Sequence, residues 1–184
     1  ALIDELLDTF PAAFDNPGYQ RKKKSIARQF DDRYDQAIER VEKTALEKKV
    51  VLFEDNGAVS FSPIIDGKPL EDSEFSTMTD EQRQYFYSVV SELETVLNDA
   101  LLELPRWKRE LSENLRTLRK DTIEQAIKPM LKHMEHDYST ELGVLKYLKE
   151  MRPHLVKAVL ELLPDESDAE KQEEIDSREI FVEE

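Results

Sequence analysis

Two histidines three residues apart, in His133-Met134-Glu135-His136-Asp137, are the nearest approach to a metal-ligand pattern in this chain, and His154 is the third imidazole. On a helix, positions i and i+3 share a face, which brings two imidazoles within reach of one zinc ion, but the spacing misses the HExxH arrangement that a hydrolytic zinc site uses. On a helix this rich in charge, solvated side chains account for the same residues, and no metal is assigned. A phosphate-cradling loop needs clustered glycines. The four present are Gly18, Gly57, Gly67 and Gly143, and Gly67-Lys68 runs into Pro69 rather than Ser or Thr. No nucleotide cofactor is therefore expected to bind within this span. Serine and lysine are diagnostic of nucleophilic catalysis only in a shaped pocket, and here both fall in solvent-rich helical contexts. No catalytic residue is assigned.

Two basic runs remain, Arg21-Lys22-Lys23-Lys24 with Arg28, and Arg106-Trp107-Lys108-Arg109 with Arg116, Arg119 and Lys120. Arg106, Trp107, Lys108 and Arg109 are the candidate contact with a partner or substrate. The net charge of −15 argues against nucleic acid, because the acidic helices compete for the same cations. Trp107 lies on an apolar stripe, so packing is its first role.

The stripe belongs to the stretch from 79 to about 138, which reads as one very long helix. Thr79-Asp80-Glu81-Gln82 is a capping box, in which the Thr79 side chain accepts from the Gln82 amide and Gln82 reaches back to the Thr79 amide. Apolar positions follow at steps of four and three: Phe86, Val90, Leu93, Leu97, Ala100, Leu104, Trp107, Leu111. They drift on through Leu115, Leu118, Thr122, Ala126, Met130 and Met134. Pro105 interrupts the backbone bonding but not the phase, and its neighbours supply no loop residues, so the prediction is a kink and not a hairpin turn. Such a helix would run roughly 90 Å.

A second helix is predicted from Asn16, its N-cap, and Pro17, its first position, to about Lys48, with Ile26, Phe30, Tyr34, Ala37, Val41 and Ala45 on one stripe. It is the natural antiparallel partner for part of the long helix. Between the two, over about 50–70, the period changes to two: Val51 and Phe53, then Val59 and Phe61, flank Asn56-Gly57, and Asp66-Gly67 signals a second turn. After 138 a further helix carries Leu142, Leu145, Leu148, Leu155, Val159 and Leu162, with Pro153 as a break or restart. From 165 to 184, ten acidic side chains face only Lys171 and Arg178, a composition that reads as a disordered linker or tail, regaining order near Ile180-Phe181-Val182.

The fold class is thus mainly α: a long kinked helix in antiparallel, coiled-coil-like packing with a second long helix, plus a small β-hairpin or meander. The domain expectation is a helical arm over 1–164 and an acidic tail over 165–184. Charged residues at 36% and few glycines fit solvent-laced helices better than a compact α/β enzyme. The absence of cysteine excludes disulfides and cysteine-based metal sites. Neither a membrane-length apolar run nor a signal-peptide pattern appears, so no membrane partner and a cytoplasmic location are expected. Ala1-Leu2-Ile3-Asp4-Glu5-Leu6-Leu7 reads as the interior of a helix, which leads to the expectation that the chain is part of something longer.

Several segments together bring a family into view. Ala12-Ala13-Phe14 precedes a basic-acidic helix. A hairpin ends in Phe61-Ser62-Pro63 and continues to Asp66-Gly67-Lys68-Pro69-Leu70. Met78-Thr79-Asp80-Glu81-Gln82 opens the long helix, and Leu104-Pro105-Arg106-Trp107 leads into its Arg- and Glu-rich half. In this order and spacing, over nearly all of 1–164, the chain resembles the helical region of Lon-related ATP-dependent proteases with a divergent AAA+ module. The resemblance implies a parent that is a serine endopeptidase with a Ser-Lys dyad, using ATP and Mg, and assembled as a homo-oligomeric ring. Its partners would be the remaining AAA+ and protease domains and unfolded protein substrates. None of the family's catalytic motifs falls on a position of this sequence, so the span is implied to be a non-catalytic domain that guides or gates substrates or supports ring assembly. The rival expectation is a free-standing coiled-coil scaffold or adaptor, in which the apolar stripe is a dimer seam.

Overall fold

The computed structural model describes residues 9–55, 58–162 and 181–182. A short helical segment, α1 (residues 9–14), is followed by α2 (Pro17–Glu47), β1 (Val50–Asp55), β2 (Ala58–Ile65), β3 (Lys68–Pro69), a 3-10 segment (Asp72–Thr77), α3 (Asp80–Ala100), α4 (Leu104–Asp137), α5 (Leu142–Leu162) and β4 (Phe181–Val182). The mainly helical class, with a small antiparallel sheet, is as the periodicities predict. The described residues fall into two compact units, with α2 and α4 each contributing to both.

The first unit holds α1, α2 up to Gln29, α4 from Arg109, and α5. Asn16 caps α2 as expected, its Oδ1 accepting the Gly18 amide at 2.7 Å, with Pro17 in the first helical position, where no amide proton is needed. The core joins Phe10 to Ile123, Ile127 and Leu131 of α4 and to Leu148, Val156 and Val159 of α5. The turn over 138–141 is closed by the Glu141 amide on the Tyr138 carbonyl at 2.9 Å, and so short a connection folds α5 back along α4.

Two expectations are corrected here. The buried stripe of α4 is Leu111, Leu115, Ile123, Ile127 and Leu131, spaced by four except for the skipped position of Arg119, whereas Ala126, Met130 and Met134 only flank it and Thr122 is half-buried. The drift assumed for a seam against a single partner does not apply, because α1 and α5 both pack on this half. In α5, Leu142 is 82% exposed and lies outside the core. That helix runs through Pro153 without a break, and α4 likewise contains Pro129.

The second unit holds the remainder of α2, the sheet, the 3-10 segment, α3 and the start of α4. Along α2 the buried residues climb through Tyr34, Ile38, Val41 and Ala45, while their core partners on α3 descend from Leu97 through Leu93 and Val89 to Phe86. The two helices therefore pack antiparallel, as predicted. The capping box forms at Thr79: its Oγ1 accepts the Gln82 amide at 3.2 Å, and Gln82 Oε1 accepts the Thr79 amide at 3.0 Å.

At residues 101–103 the long helix bends. The Leu104 amide bonds to the Leu101 carbonyl at 2.9 Å, a tightened turn, and α4 then resumes with the Trp107 amide on the Glu103 carbonyl at 3.0 Å. Pro105 thereby occupies the first turn of α4, among amides that have no intrahelical acceptor in any helix.

Strand β2 is central in the sheet, antiparallel to β1 and β3 and parallel to β4. Asp66 and Gly67, at φ 51° and 78°, form the two-residue primed turn between β2 and β3 that the sequence signals. Asn56-Gly57 and the greater part of 165–184 lie outside the described residues; Phe181–Val182, where order was expected to return, forms β4. The face predicted for β1 is corrected by one residue. Val50 and Leu52 are buried, opposite Pro63 and Phe61, whereas Val51 is half-buried and Phe53 is 47% exposed. Glu54, which shares the strand face of Val50 and Leu52 but is exposed, accepts the hydroxyl of buried Tyr34 at 2.8 Å, so a polar residue stands where an alternating pattern expects an apolar one.

Candidate functional site

Of the four residues singled out as a contact, Arg106, Trp107 and Lys108 belong to the second unit and Arg109 to the first. Arg106 and Arg109 are exposed, while Trp107 and Lys108 are half-buried. Arg106 lies 3.8 Å from Glu103 one turn back, so its charge is already partly compensated.

The histidines do not converge. His133 Nε2 is 3.5 Å from Asp137 Oδ2 on an exposed helix surface, and among the described residues no three metal-ligating side chains come together. Ser62 donates its hydroxyl to the Leu70 carbonyl at 2.8 Å, tying β2 to the chain after β3 instead of presenting a nucleophile. Lys48, at the turn after α2, pairs with Glu92 of α3; the hydrogen bond that its ammonium donates to that carboxylate, with a smaller Coulombic contribution, raises the Lys48 pKa above its ordinary value. Among the described residues no helix is long and apolar enough to cross a membrane.

What the second unit does present is a groove of about 520 Å³. One wall is β2 at Phe61, Ser62 and Pro63, another is Leu70, Glu71 and Phe75 from the segment after β3, and the third is the face of α3 carrying Phe86, Tyr87, Val90, Ser91 and Glu94. The walls are fixed from beneath. Phe61, Leu70, Phe75 and Val90 all pack on the core that contains Phe86, Val89 and Leu93. Phe75 is edge-on to Phe86 at 5.8 Å and to Tyr87 at 6.0 Å, a three-ring cluster whose quadrupoles lock the 3-10 segment against α3. Tyr87 remains 58% exposed. Glu94 is half-buried at one end, Glu71 is exposed on the opposite wall, and neither carboxylate has an ion-pair partner among the described residues.

The groove is a concave, largely apolar surface with a few polar groups at its margins, the character of a binding site. It offers aromatic and aliphatic surface with two carboxylates that have no ion-pair partner among the described residues. Sequence reasoning places Phe86 and Val90 on the core stripe and does not identify Phe75, Tyr87, Glu71 or Glu94. The available signal is Tyr85-Phe86-Tyr87, three successive aromatics of which a helix buries only one against its partner. No family model, curated protein or solved structure matches this chain.

Proposed function

We propose that this chain is a non-catalytic, polypeptide-binding helical domain of a Lon-like ATP-dependent serine protease, which guides or gates unfolded protein substrates and supports assembly of a homo-oligomeric ring. ATP, Mg and the Ser-Lys dyad belong, in this reading, to the AAA+ and protease domains of a cytoplasmic parent. The observation that carries the binding role is the groove between β2 and α3: a firmly backed aromatic surface, open to solvent, of the size that holds side chains of a bound segment. The parent assignment is supported by the order and spacing of the segments that resemble the Lon-related helical region.

A free-standing coiled-coil scaffold is the weaker reading because α3 has little seam to offer. Leu93 and Leu97 are already buried, in cores that include Ala45 and Val41 of α2. The test is excision of this region from the parent reading frame. Degradation of an unfolded protein should fall, ring assembly should weaken, and hydrolysis of a short peptide by the protease domain should persist. Unchanged protein degradation together with unchanged assembly would refute the proposal, and a reading frame confined to this span would refute the parent.

A further inference from the structure

We infer that the groove selects extended polypeptide segments in which an aromatic or large aliphatic side chain lies next to lysine or arginine. The inference rests on the polypeptide-binding reading and specifies the sequence class. Phe61, Phe75, Phe86 and Tyr87 with Pro63, Leu70 and Val90 supply the apolar lining. Glu71 and Glu94 stand on different walls, so a segment lying along the groove meets a carboxylate on either side.

Neither carboxylate is neutralised by a partner among the described residues, and the chain's net charge of −15 adds a field of the same sign. Exposed Tyr87 adds a ring face for a cation. An acidic segment would bring a third negative charge into a groove that already holds two, a repulsive element that sharpens selection. The α3 wall runs from Phe86 to Glu94, about 12 Å at the helical rise, which matches roughly four residues of extended chain. A short linear motif fits the site, and a folded partner is not required.

Fluorescence anisotropy with three labelled synthetic peptides tests this. One has a Phe-Arg-Leu-Lys centre, the second replaces its cations with glutamate, and the third keeps the cations but replaces Phe and Leu with serine. The first should bind about tenfold more tightly than either of the others, and its affinity should fall with added salt. Glu94→Gln should weaken it roughly two- to fivefold and Glu94→Lys about tenfold. Ser91→Trp, an exposed position on the α3 wall, should block the groove and abolish binding of the first peptide while leaving far-UV circular dichroism unchanged.

Equal binding of the cationic and acidic peptides, with Ser91→Trp still blocking both, would overturn the charge selection and leave the polypeptide-binding reading intact. Equal binding of the serine-substituted peptide would reduce the site to surface electrostatics and overturn the inference. Binding of none would overturn both. A concentration-dependent dimer that Ser91→Trp disrupts would assign the groove to a second copy and overturn the inference as well.

Discussion

Pro105 and Pro129 should respond in opposite directions to replacement by alanine, and the difference follows from their places in α4. Pro129 lies in the helix interior and is exposed, so its ring removes the amide that would bond to the Gln125 carbonyl. Proline is about 3 kcal/mol worse than alanine in a helix interior, and alanine returns about 0.5–1 kcal/mol of unfolded-chain freedom; because α4 already accommodates the ring, a net gain of about 1–2 kcal/mol is expected. That corresponds to a rise in Tm of roughly 3–6 °C for a chain of this size.

Pro105 has no such bond to regain. It sits in the first turn, and the Leu101 carbonyl is already occupied by the Leu104 amide at 2.9 Å. Alanine there only loosens the unfolded chain, so a loss of about 0.5–1 kcal/mol is expected. Urea unfolding followed by far-UV circular dichroism reads both variants. Trp107, the single tryptophan, reports on the second unit, and exchange protection of the amide that Pro129→Ala introduces reports directly on the restored bond. A Pro105→Ala variant that gains as much as Pro129→Ala, or an unprotected amide at position 129 in the latter, would refute the assignment of Pro105 to a helix start and Pro129 to a helix interior.

Three further outcomes follow from the packing. Leu93→Ala, at a position with no exposed surface between α2 and α3, should destabilise the second unit by about 3–4 kcal/mol, read from the Trp107 unfolding curve. Leu52→Thr should cost about 2 kcal/mol and Phe53→Thr about 0.5 kcal/mol or less, the reverse of what the alternation in sequence implies. Lys48 should titrate above 10.5, and Glu92→Gln should return it toward that value, as followed by NMR of its Nζ protons. Because the folded pKa is the higher one, the pair's contribution is fully present below the unfolded lysine pKa and disappears as pH rises through the folded value, so neutral-pH stability should not vary with pH on its account.

The helices were legible because their signals are local. Asn16-Pro17 and Thr79 with Gln82 carry their capping chemistry within four residues, and the α2 stripe needs only a period of 3.6. The same locality explains the two misread faces. On β1, Val50-Val51-Leu52-Phe53 is apolar at every position, so alternation alone does not choose between the odd and even set. The choice is made by pairing with β2, which sets Leu52 opposite Phe61, and by the hydrogen bond that Tyr34 donates to Glu54, which holds the exposed end of the same face. On α4, Ile123, Ile127 and Leu131 outrank Thr122, Ala126 and Met130 because helices on more than one side demand a broader apolar face than a single seam.

The groove was illegible for a related reason, and that reason bears on how it works. Its walls come from β2, from the chain after β3 and from α3, and each contributes residues that are neither fully buried nor fully solvated. A periodic pattern sorts side chains into inside and outside, so it places Phe86 in the core and is silent on Phe75 and Tyr87, although the three rings form one cluster. Phe75 is braced by both rings, yet Tyr87 leaves more than half of its surface in solvent, and Glu94 holds a half-buried charge with no partner among the described residues. Folding stability would favour a neutral residue at 94. Glu94→Gln should therefore leave the Tm unchanged or slightly raised while binding of the Phe-Arg-Leu-Lys peptide falls roughly two- to fivefold, and a matching loss of stability would instead make Glu94 structural.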